Sequence, residues 1–218
     1  MLAWLKDIFF PSKCILCRKV LDNQETDLCE GCRKHVPEFP LRKNNLSFIA
    51  HWTAIWYYKD TVRSSLLRYK FYNCRGYAAV YGRLLAMKLQ STQLDDFDIL
   101  TWVPLSRLRK WKRGYDQMEL VAKAVAKELG ISATSTLRKQ RHTPPQSTLT
   151  DAAHRRANVL GVFQPLDPAS LKGKRILLLD DIVTTGATAS ECARVLLTAG
   201  AEEVLFAAVA AAGTTSSK

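Results

Sequence analysis

The feature that most constrains the fold is one segment, in which a short apolar run ends in two carboxylates and a threonine-rich turn. Residues Ile176 to Leu179 are apolar, Asp180 and Asp181 follow at once, and a Thr-Thr-Gly-Ala-Thr turn begins at Thr184. A short, wholly apolar run is typical of a strand buried on both faces, as in parallel sheets. The segment therefore predicts a buried parallel strand, a tight turn and the start of a helix.

The rest of the chain alternates strands and helices. The predicted strands are Trp52–Tyr58, Phe97–Val103, Arg175–Leu179 and Glu203–Val209. The predicted helices run from about residue 60 to Phe71, then over Tyr77–Gln90, Tyr115–Leu129 and Ala187–Ala199, with a basic loop after Val103 and a long surface loop over residues 138–158. This order predicts an α/β domain with an open parallel sheet over residues 46–218. Residues 1–45 lack apolar periodicity and are predicted to form a small separate module.

The acidic pair and the turn have the chemistry of a sugar phosphate site. Ligands of parallel α/β sheets bind beyond the carboxyl ends of the strands, where Asp180 and Asp181 are predicted to lie and could accept hydrogen bonds from two ribose hydroxyls. The turn residues Thr184, Thr185, Gly186, Ala187 and Thr188 offer backbone N–H groups, hydroxyls and a helix N-terminus to a phosphate. The alternative is a plain strand end followed by a helix cap. The chain has neither a Gly-x-Gly-x-x-Gly nor a P-loop signature, which disfavours dinucleotide and P-loop sites.

Two cysteine pairs dominate the first part of the chain. Cys14 and Cys17 are separated by two residues, as are Cys29 and Cys32, and eleven residues lie between the pairs. Small domains hold Zn²⁺ between four thiolates with this spacing. Because all four positions are thiols, we predict a structural zinc site whose role is separate from that of the carboxylate site. His35 as a substitute ligand, and unmetallated thiols, are the alternatives.

The chain resembles the ComF competence family, a branch of the type I phosphoribosyltransferases, over most of its length. The matching pieces are the cysteine pairs, Lys70-Phe71, Val103-Pro104, Arg113-Gly114-Tyr115-Asp116-Gln117, Thr143 with Gln146, Arg156-Ala157-Asn158-Val159, and the segment from Asp180 to Thr188. Asp116 stands where the family usually has asparagine.

The resemblance implies that the ligand is phosphoribosyl pyrophosphate (PRPP). Asp180 and Asp181 would hold the ribose hydroxyls, the turn would hold the 5′-phosphate, and Mg²⁺ would bridge pyrophosphate and sugar. The segment after Val103 corresponds to a pyrophosphate loop and residues 138–158 to a flexible hood. The candidates for contact with the pyrophosphate are Arg113 and Gly114, the other basic residues of that loop, Arg107, Arg109, Lys110 and Lys112, and Arg138, Lys139 and Arg141 of the hood.

The positive charge of the chain is concentrated in one stretch. The chain has 32 basic and 20 acidic residues, a formal net charge of +12, and residues 101–160 contain 12 basic and 4 acidic ones. This excess exceeds what one pyrophosphate requires and predicts an extended anionic partner, for which single-stranded DNA is the candidate. The predicted DNA surface combines the zinc module with the basic stretch from Arg107 to Arg156. Its main candidates are Arg107, Arg109, Lys110, Trp111 and Lys112, where Trp111 would either stack on a base or anchor the loop. The alternative is that these charges only complete the hood over the pyrophosphate.

No apolar run approaches the roughly 18 residues that a membrane span needs. The apolar start of the chain is interrupted by Lys6 and Asp7, and no small-residue cleavage site follows. We therefore predict a cytoplasmic protein without stable membrane insertion.

Three functions are compatible with these features. The resemblance favours a DNA-uptake factor that binds PRPP with Mg²⁺ and single-stranded DNA, with proteins of the competence machinery as further partners. The alternatives are a phosphoribosyltransferase acting on an acceptor that the sequence does not specify, and a PRPP-sensing regulator.

Overall fold

The computed structural model describes residues 11–140 and 159–213. The described strands are β1 (Arg42–Leu46), β2 (Ile49–Tyr57), β3 (Ile99–Trp102), β4 (Leu137–Lys139), β5 (Phe163–Pro165), β6 (Arg175–Val183) and β7 (Glu203–Ala211). The described α-helices are α1 (Glu30–His35), α2 (Asp60–Phe71), α3 (Tyr77–Ser91), α4 (Arg107–Arg113), α5 (Gln117–Leu129) and α6 (Ala187–Thr198). None of these helices is long and apolar enough to cross a membrane.

Five strands form the main sheet in the order β1-β2-β7-β6-β3. Four of them are parallel, and β1 pairs antiparallel with β2 at one edge. The central strands β6 and β7 are built from nearly continuous apolar residues, as expected for strands covered on both faces. A separate antiparallel pair consists of β4 and β5. The predicted α/β fold with an open, mostly parallel sheet is confirmed.

Helices cover both faces of the main sheet. Since successive residues of a strand point to opposite faces, each strand contributes side chains to both helix layers. In β6, Leu177 and Leu179 pack into one apolar cluster with residues of α2, α3 and α5. Ile176 and Leu178 pack into a second cluster with residues of α6. Because the same alternation continues beyond Leu179, Asp181 points to the face of Leu179 and Asp180 points to the face of Leu178.

The basic segment after β3 forms a helix, so the prediction of a loop there was wrong. The hydroxyl of Ser106 accepts a hydrogen bond from the backbone N–H of Arg109 and caps the start of α4. Gly114 ends the helix in the left-handed conformation, with a φ of 76°. Because α4 lacks an apolar stripe, the sequence carried little signal for it.

The cysteine-rich segment packs against α2 and α3. Cys14, Ile15 and Leu16 belong to the same apolar cluster as Leu66 and Tyr81. Ion pairs add to this contact, from Arg83 to Asp27 and from Lys88 to Glu38. The predicted division after residue 45 falls within β1 and stays a prediction.

Candidate ligand and metal sites

A cavity of about 450 Å³ opens at the carboxyl ends of β3 and β6. The pairing of β3 with β6 stops at Trp102 and Leu179, whereas the pairing of β6 with β7 continues to Val183. Among the described residues, no strand therefore pairs with the last residues of β6 on the β3 side. The cavity is lined by Tyr58, Leu67, Lys70, Phe71, Val103, Pro104, Leu105, Arg109, Arg113, Asp116, Gln117, Met118, Lys139, Val159, Phe163, Asp180, Asp181, Ile182, Thr184 and Thr188.

The two aspartates lie inside β6 rather than at its end, because the strand continues to Val183. Asp181 shares the parity of Leu179 and faces the α2 side, where its Oδ2 lies 2.8 Å from Nζ of Lys70. Burial raises the pKa of Asp180 to about 8, and the neighbouring negative charge of Asp181 adds to this effect. The acidic pair thus holds one carboxylate neutralised by a lysine and one carboxyl that prefers to keep its proton.

Three further cations face this cavity. Arg109 and Arg113 lie four residues apart on α4 and therefore on one side of that helix. Lys139 of β4 also lines the cavity. Burial and the charge of Arg109 lower the pKa of Lys139 to about 8, and burial with the charge of Arg113 lowers the pKa of Arg109. Burial is the larger cause of both lowered pKa values and neighbouring positive charge the smaller one, and an anion in the cavity would offset both.

The other charged residues of α4 face elsewhere. Arg107 and Lys110 line a neighbouring cavity of about 930 Å³, together with Arg138 of β4. Lys112 is exposed, and Trp111 has 80% of its surface exposed. Of the five DNA-binding candidates, the structure thus directs Arg109 into the carboxylate cavity and the other four away from it.

The Arg-Gly-Tyr-Asp-Gln motif docks α4 and α5 onto the end of α2. The Tyr115 hydroxyl donates to the Tyr69 carbonyl at 3.3 Å, and the Gln117 amide donates to the Lys70 carbonyl at 3.2 Å. Arg113 donates to the Gln117 side chain and stacks on the Phe71 ring at 5.3 Å. The motif therefore fixes Lys70, a residue to which the sequence assigned no role although Lys70-Phe71 was part of the resemblance.

Asp116 has a structural role that explains a carboxylate at this position. One of its oxygens accepts from the backbone N–H groups of Met118 and Glu119, which caps α5. The other oxygen accepts from the backbone N–H of Leu105 at 3.0 Å. An asparagine in the same orientation would place its own NH₂ group against that N–H. Asp116 thus ties the chain after β3 to the start of α5.

The predicted phosphate turn leads from β6 into α6. Thr184 and Thr188 line the cavity, while Thr185, Gly186 and Ala187 complete the turn outside its lining. Gly186 has a φ of 75°, and a Cβ there would lie 2.3 Å from a methyl carbon of Leu46. The left-handed conformation favours glycine at this position, and any larger residue would also displace the Leu46 side chain.

The remaining pyrophosphate and hood candidates have different positions. Gly114 joins α4 to α5 and is not among the residues that line the cavity. Arg138 donates to the side chain of Gln164 at 3.1 Å. Arg141, Thr143, Gln146 and Arg156 lie outside the described residues.

The four predicted metal ligands come together. The sulfur atoms of Cys14, Cys17, Cys29 and Cys32 all lie within 4.8 Å of one another. A tetrahedral zinc site with Zn–S bonds of about 2.3 Å needs sulfur separations of about 3.8 Å, and the separation of Cys17 and Cys29 is 3.5 Å. His35 is not part of the cluster, and its ring contacts the Gly31 carbonyl at 2.9 Å.

The electrostatics of the cluster also fit a cation. Burial and the three neighbouring cysteines raise the pKa of Cys32. Burial opposes the ionisation of Cys14 as well, but backbone N–H groups of Cys17, Cys29 and Leu16 outweigh it and lower the pKa of Cys14 to about 7. The Cys14 thiolate is therefore stabilised by the backbone, and a positive ion beside Cys17 and Cys32 would offset the burial that raises the pKa of those two thiols.

The sequence matches one family and several relatives. The family described as phosphoribosyl transferase domain matches residues 119–218. Competence protein F of Haemophilus influenzae is 27% identical over 219 residues, 90% of this chain and 95% of that protein. DNA utilization protein YhgH of Salmonella typhimurium is 31% identical over 218 residues, 89% of this chain and 94% of that protein. This chain belongs to the ComF family. Its phosphoribosyl transferase match includes the acidic pair and the turn of the ligand cavity.

The ComF-family chain is also similar to parts of larger solved structures. Glutamine phosphoribosylpyrophosphate amidotransferase from B. subtilis is 21% identical, with a TM-score of 0.46, and the match covers 66% of this chain and 30% of that one. The allosteric regulatory enzyme of purine biosynthesis has a TM-score of 0.44 with the same coverage. The ComF-family chain thus spans less than a third of these two proteins.

Proposed function

We propose that this chain binds PRPP with Mg²⁺ in the carboxylate cavity and binds single-stranded DNA on the outer surface of α4, as a cytoplasmic factor in DNA uptake. The observation that carries the proposal is the arrangement of charge in the cavity. Two carboxyl groups lie beside a phosphate-type turn, and four cations, Lys70, Arg109, Arg113 and Lys139, line the walls. A ligand with hydroxyls in the middle and anions at both ends matches this pattern.

Each part of PRPP has a partner in the cavity. The Asp180 and Asp181 carboxylates would accept hydrogen bonds from the ribose hydroxyls, and the turn at the start of α6 would hold the 5′-phosphate. Arg109, Arg113 and Lys139 would face the pyrophosphate. Mg²⁺ bound with the ligand would supply positive charge between the pyrophosphate oxygens and the ribose. The raised pKa of Asp180 supports this assignment, because Lys70 neutralises Asp181 and a further cation would favour the ionised form of Asp180.

Calorimetric titration with PRPP and Mg²⁺ tests the ligand. The double substitution Asp180→Asn with Asp181→Asn should weaken binding on the order of 100-fold, since it removes hydrogen bonds to two charged acceptors. The matched control is Asp95→Asn with Asp96→Asn, an exposed adjacent pair before β3, which should bind as the wild type does. Unchanged affinity in a folded Asp180 and Asp181 double variant would overturn the PRPP assignment.

The DNA part of the proposal rests on how the charged side chains are distributed around α4. Arg107, Lys110, Lys112 and the exposed Trp111 lie on the sides of α4 that do not line the carboxylate cavity. They combine positive charge with an aromatic surface, which suits single strands. The names of the competence and DNA utilization relatives support the same function.

Titration of a single-stranded oligonucleotide tests the DNA surface. Affinity should fall with salt, with a log-log slope of about −0.7 for each neutralised phosphate. Lys110→Glu with Lys112→Glu should weaken DNA binding and spare PRPP, whereas Arg109→Glu should weaken PRPP binding. Lys123→Glu is the control, because Lys123 contacts the same Glu119 carboxylate as Lys110 but lies on α5. Absence of binding by the wild type would remove the DNA function, and competition between DNA and PRPP would contradict separate sites.

The enzyme alternative is tested by its product. A phosphoribosyltransferase releases pyrophosphate when an acceptor is added, whereas a DNA-uptake factor or a sensor that only binds PRPP does not. Release of pyrophosphate with any of a panel of nucleobases would establish the enzyme and name its acceptor class.

A further inference from the structure

One arginine connects the cysteine cluster to the end of α2. A terminal nitrogen of Arg68 donates to the carbonyls of Ile15 at 3.0 Å and Leu16 at 2.6 Å, the two residues between Cys14 and Cys17. The Ser65 hydroxyl donates to the same Ile15 carbonyl at 2.7 Å. Two residues of α2 thus bind the backbone of the first cysteine pair directly.

The same end of α2 supplies Lys70 to the ligand cavity. Residues two apart on a helix point to nearly opposite sides, so Arg68 faces the cysteine cluster while Lys70 faces Asp181 at 2.8 Å. The carbonyls of Tyr69 and Lys70 accept hydrogen bonds from the Tyr115 hydroxyl and the Gln117 side-chain amide. The last turn of α2 is therefore held between the cysteine cluster and the motif that docks α4 and α5.

We infer that Arg68 is a positioning residue for the PRPP site, and that the metal-loaded cysteine cluster supports ligand binding through it. The inference rests on the proposed function, because PRPP affinity is its main measurement. A charged donor that contacts two carbonyls sets the rotation of the last turn of α2, and this rotation sets the position of Lys70. Metal holds the Cys14–Cys17 backbone in the shape that presents those carbonyls. This departs from the expectation that zinc and ligand have separate roles.

The chain offers a matched control for the test. Arg83 also binds the cysteine-rich segment, through two hydrogen bonds to Asp27 at 2.5 and 3.0 Å, but it lies on α3 and not beside Lys70. Arg68→Ala should weaken PRPP·Mg²⁺ binding about 10-fold in calorimetry, the equivalent of one hydrogen bond. Arg68→Lys, which keeps one donor group, should recover part of the affinity. Arg83→Ala should bind PRPP as the wild type does, whatever its effect on the unfolding temperature.

Removal of zinc gives the second measurement. Zinc is removed with a chelator that is dialysed away before Mg²⁺ and PRPP are added. Its removal should weaken PRPP binding of the wild type as much as Arg68→Ala does, and should weaken the Arg68→Ala variant little further, because both changes act through one contact. In Arg68→Ala, amide hydrogen exchange should accelerate at residues 68–72 and stay unaltered in α6.

The outcomes separate the two proposals. A wild type that does not bind PRPP overturns the proposed function and this inference together. A wild type that binds PRPP, with equal affinity in Arg68→Ala and Arg83→Ala, overturns the inference alone. Faster exchange throughout α2 and α3 in the Arg68 variants would show a general structural role and would also overturn it. If Arg68→Ala does not fold, Arg68→Lys and chelation of the wild type decide the question.

Discussion

The Asp180 carboxyl keeps its proton far above the pH at which a free aspartate loses it. Burial and the charge of Asp181 raise its pKa from 3.8 to about 8. Between these pH values the folded chain holds a proton that the unfolded chain has released, so the free energy of unfolding falls as the pH rises. We predict that Asp180→Asn removes this fall, which one proton limits to about 1.4 kcal/mol per pH unit. Urea unfolding from about pH 5 to about pH 8 measures the slope.

Asp98 provides the control for this prediction. The backbone N–H of Arg175 lowers the pKa of Asp98, so this group is ionised in both the folded and the unfolded chain over the same pH range. Asp98→Asn should therefore leave the slope unchanged. A folded Asp180→Asn variant with the slope of the wild type would contradict the prediction.

Two helices cross without room for a side chain between them. A Cβ added at Gly82 of α3 would lie 2.3 Å from the Cβ of Ala124 and 2.9 Å from its carbonyl carbon on α5. We predict that Gly82→Ala lowers the free energy of unfolding by about 1–3 kcal/mol, because overpacking outweighs the better helix propensity of alanine. Denaturant unfolding measures this loss.

A substitution at Gly31 in α1 separates the effect of steric crowding from the effect of helix propensity. A Cβ at Gly31 would meet nothing within 4 Å, so Gly31→Ala should be neutral or slightly stabilising. The substitution Ala124→Gly in the Gly82→Ala background should recover part of the loss. Equal effects of Gly82→Ala and Gly31→Ala would show that the helix crossing is not the cause.

For the whole molecule, the cysteine cluster and the main domain share one apolar core. Cys14 and Cys29 lie in the cluster that contains residues of α2, α3 and α5. We predict one zinc per chain by metal analysis, and a decrease in the free energy of unfolding of several kcal/mol, on the order expected for a structural zinc, when it is removed. The loss should extend to the whole domain in a single transition, because the described part of the cysteine-rich segment packs into the apolar cluster of the main domain.

A pair of cysteine substitutions tests this prediction. Cys17→Ser should reduce the zinc content and the stability, whereas Cys74→Ser, a thiol outside the cluster, should change neither. A purified wild type without metal, or a zinc-free domain with unchanged unfolding, would contradict the structural role of the cluster.

The sequence alone determined the features that local pattern carries. The continuous apolar run of β6 predicted a buried parallel strand, the glycine and threonines after it predicted the turn, and the cysteine spacing predicted the four-sulfur cluster. These predictions depend on residues close together in the chain, whose side chains can meet only in a few geometries. The order of the four predicted strands and four predicted helices followed for the same reason, whereas the short elements β1, β4, β5, α1 and α4 were not predicted.

Only the tertiary structure decided which distant residues share a site. Lys70 meets Asp181 because α2 packs on the face of β6 to which odd-numbered residues point. Arg109 of α4 lines the ligand cavity, whereas Lys110 does not. This difference depends on the basic segment being a helix and on which side of that helix docks against the domain. The contact of Arg68 with the first cysteine pair depends on the packing of α2 against residues far away in sequence. Such contacts result from long-range packing, on which the pattern of neighbouring residues carries no information.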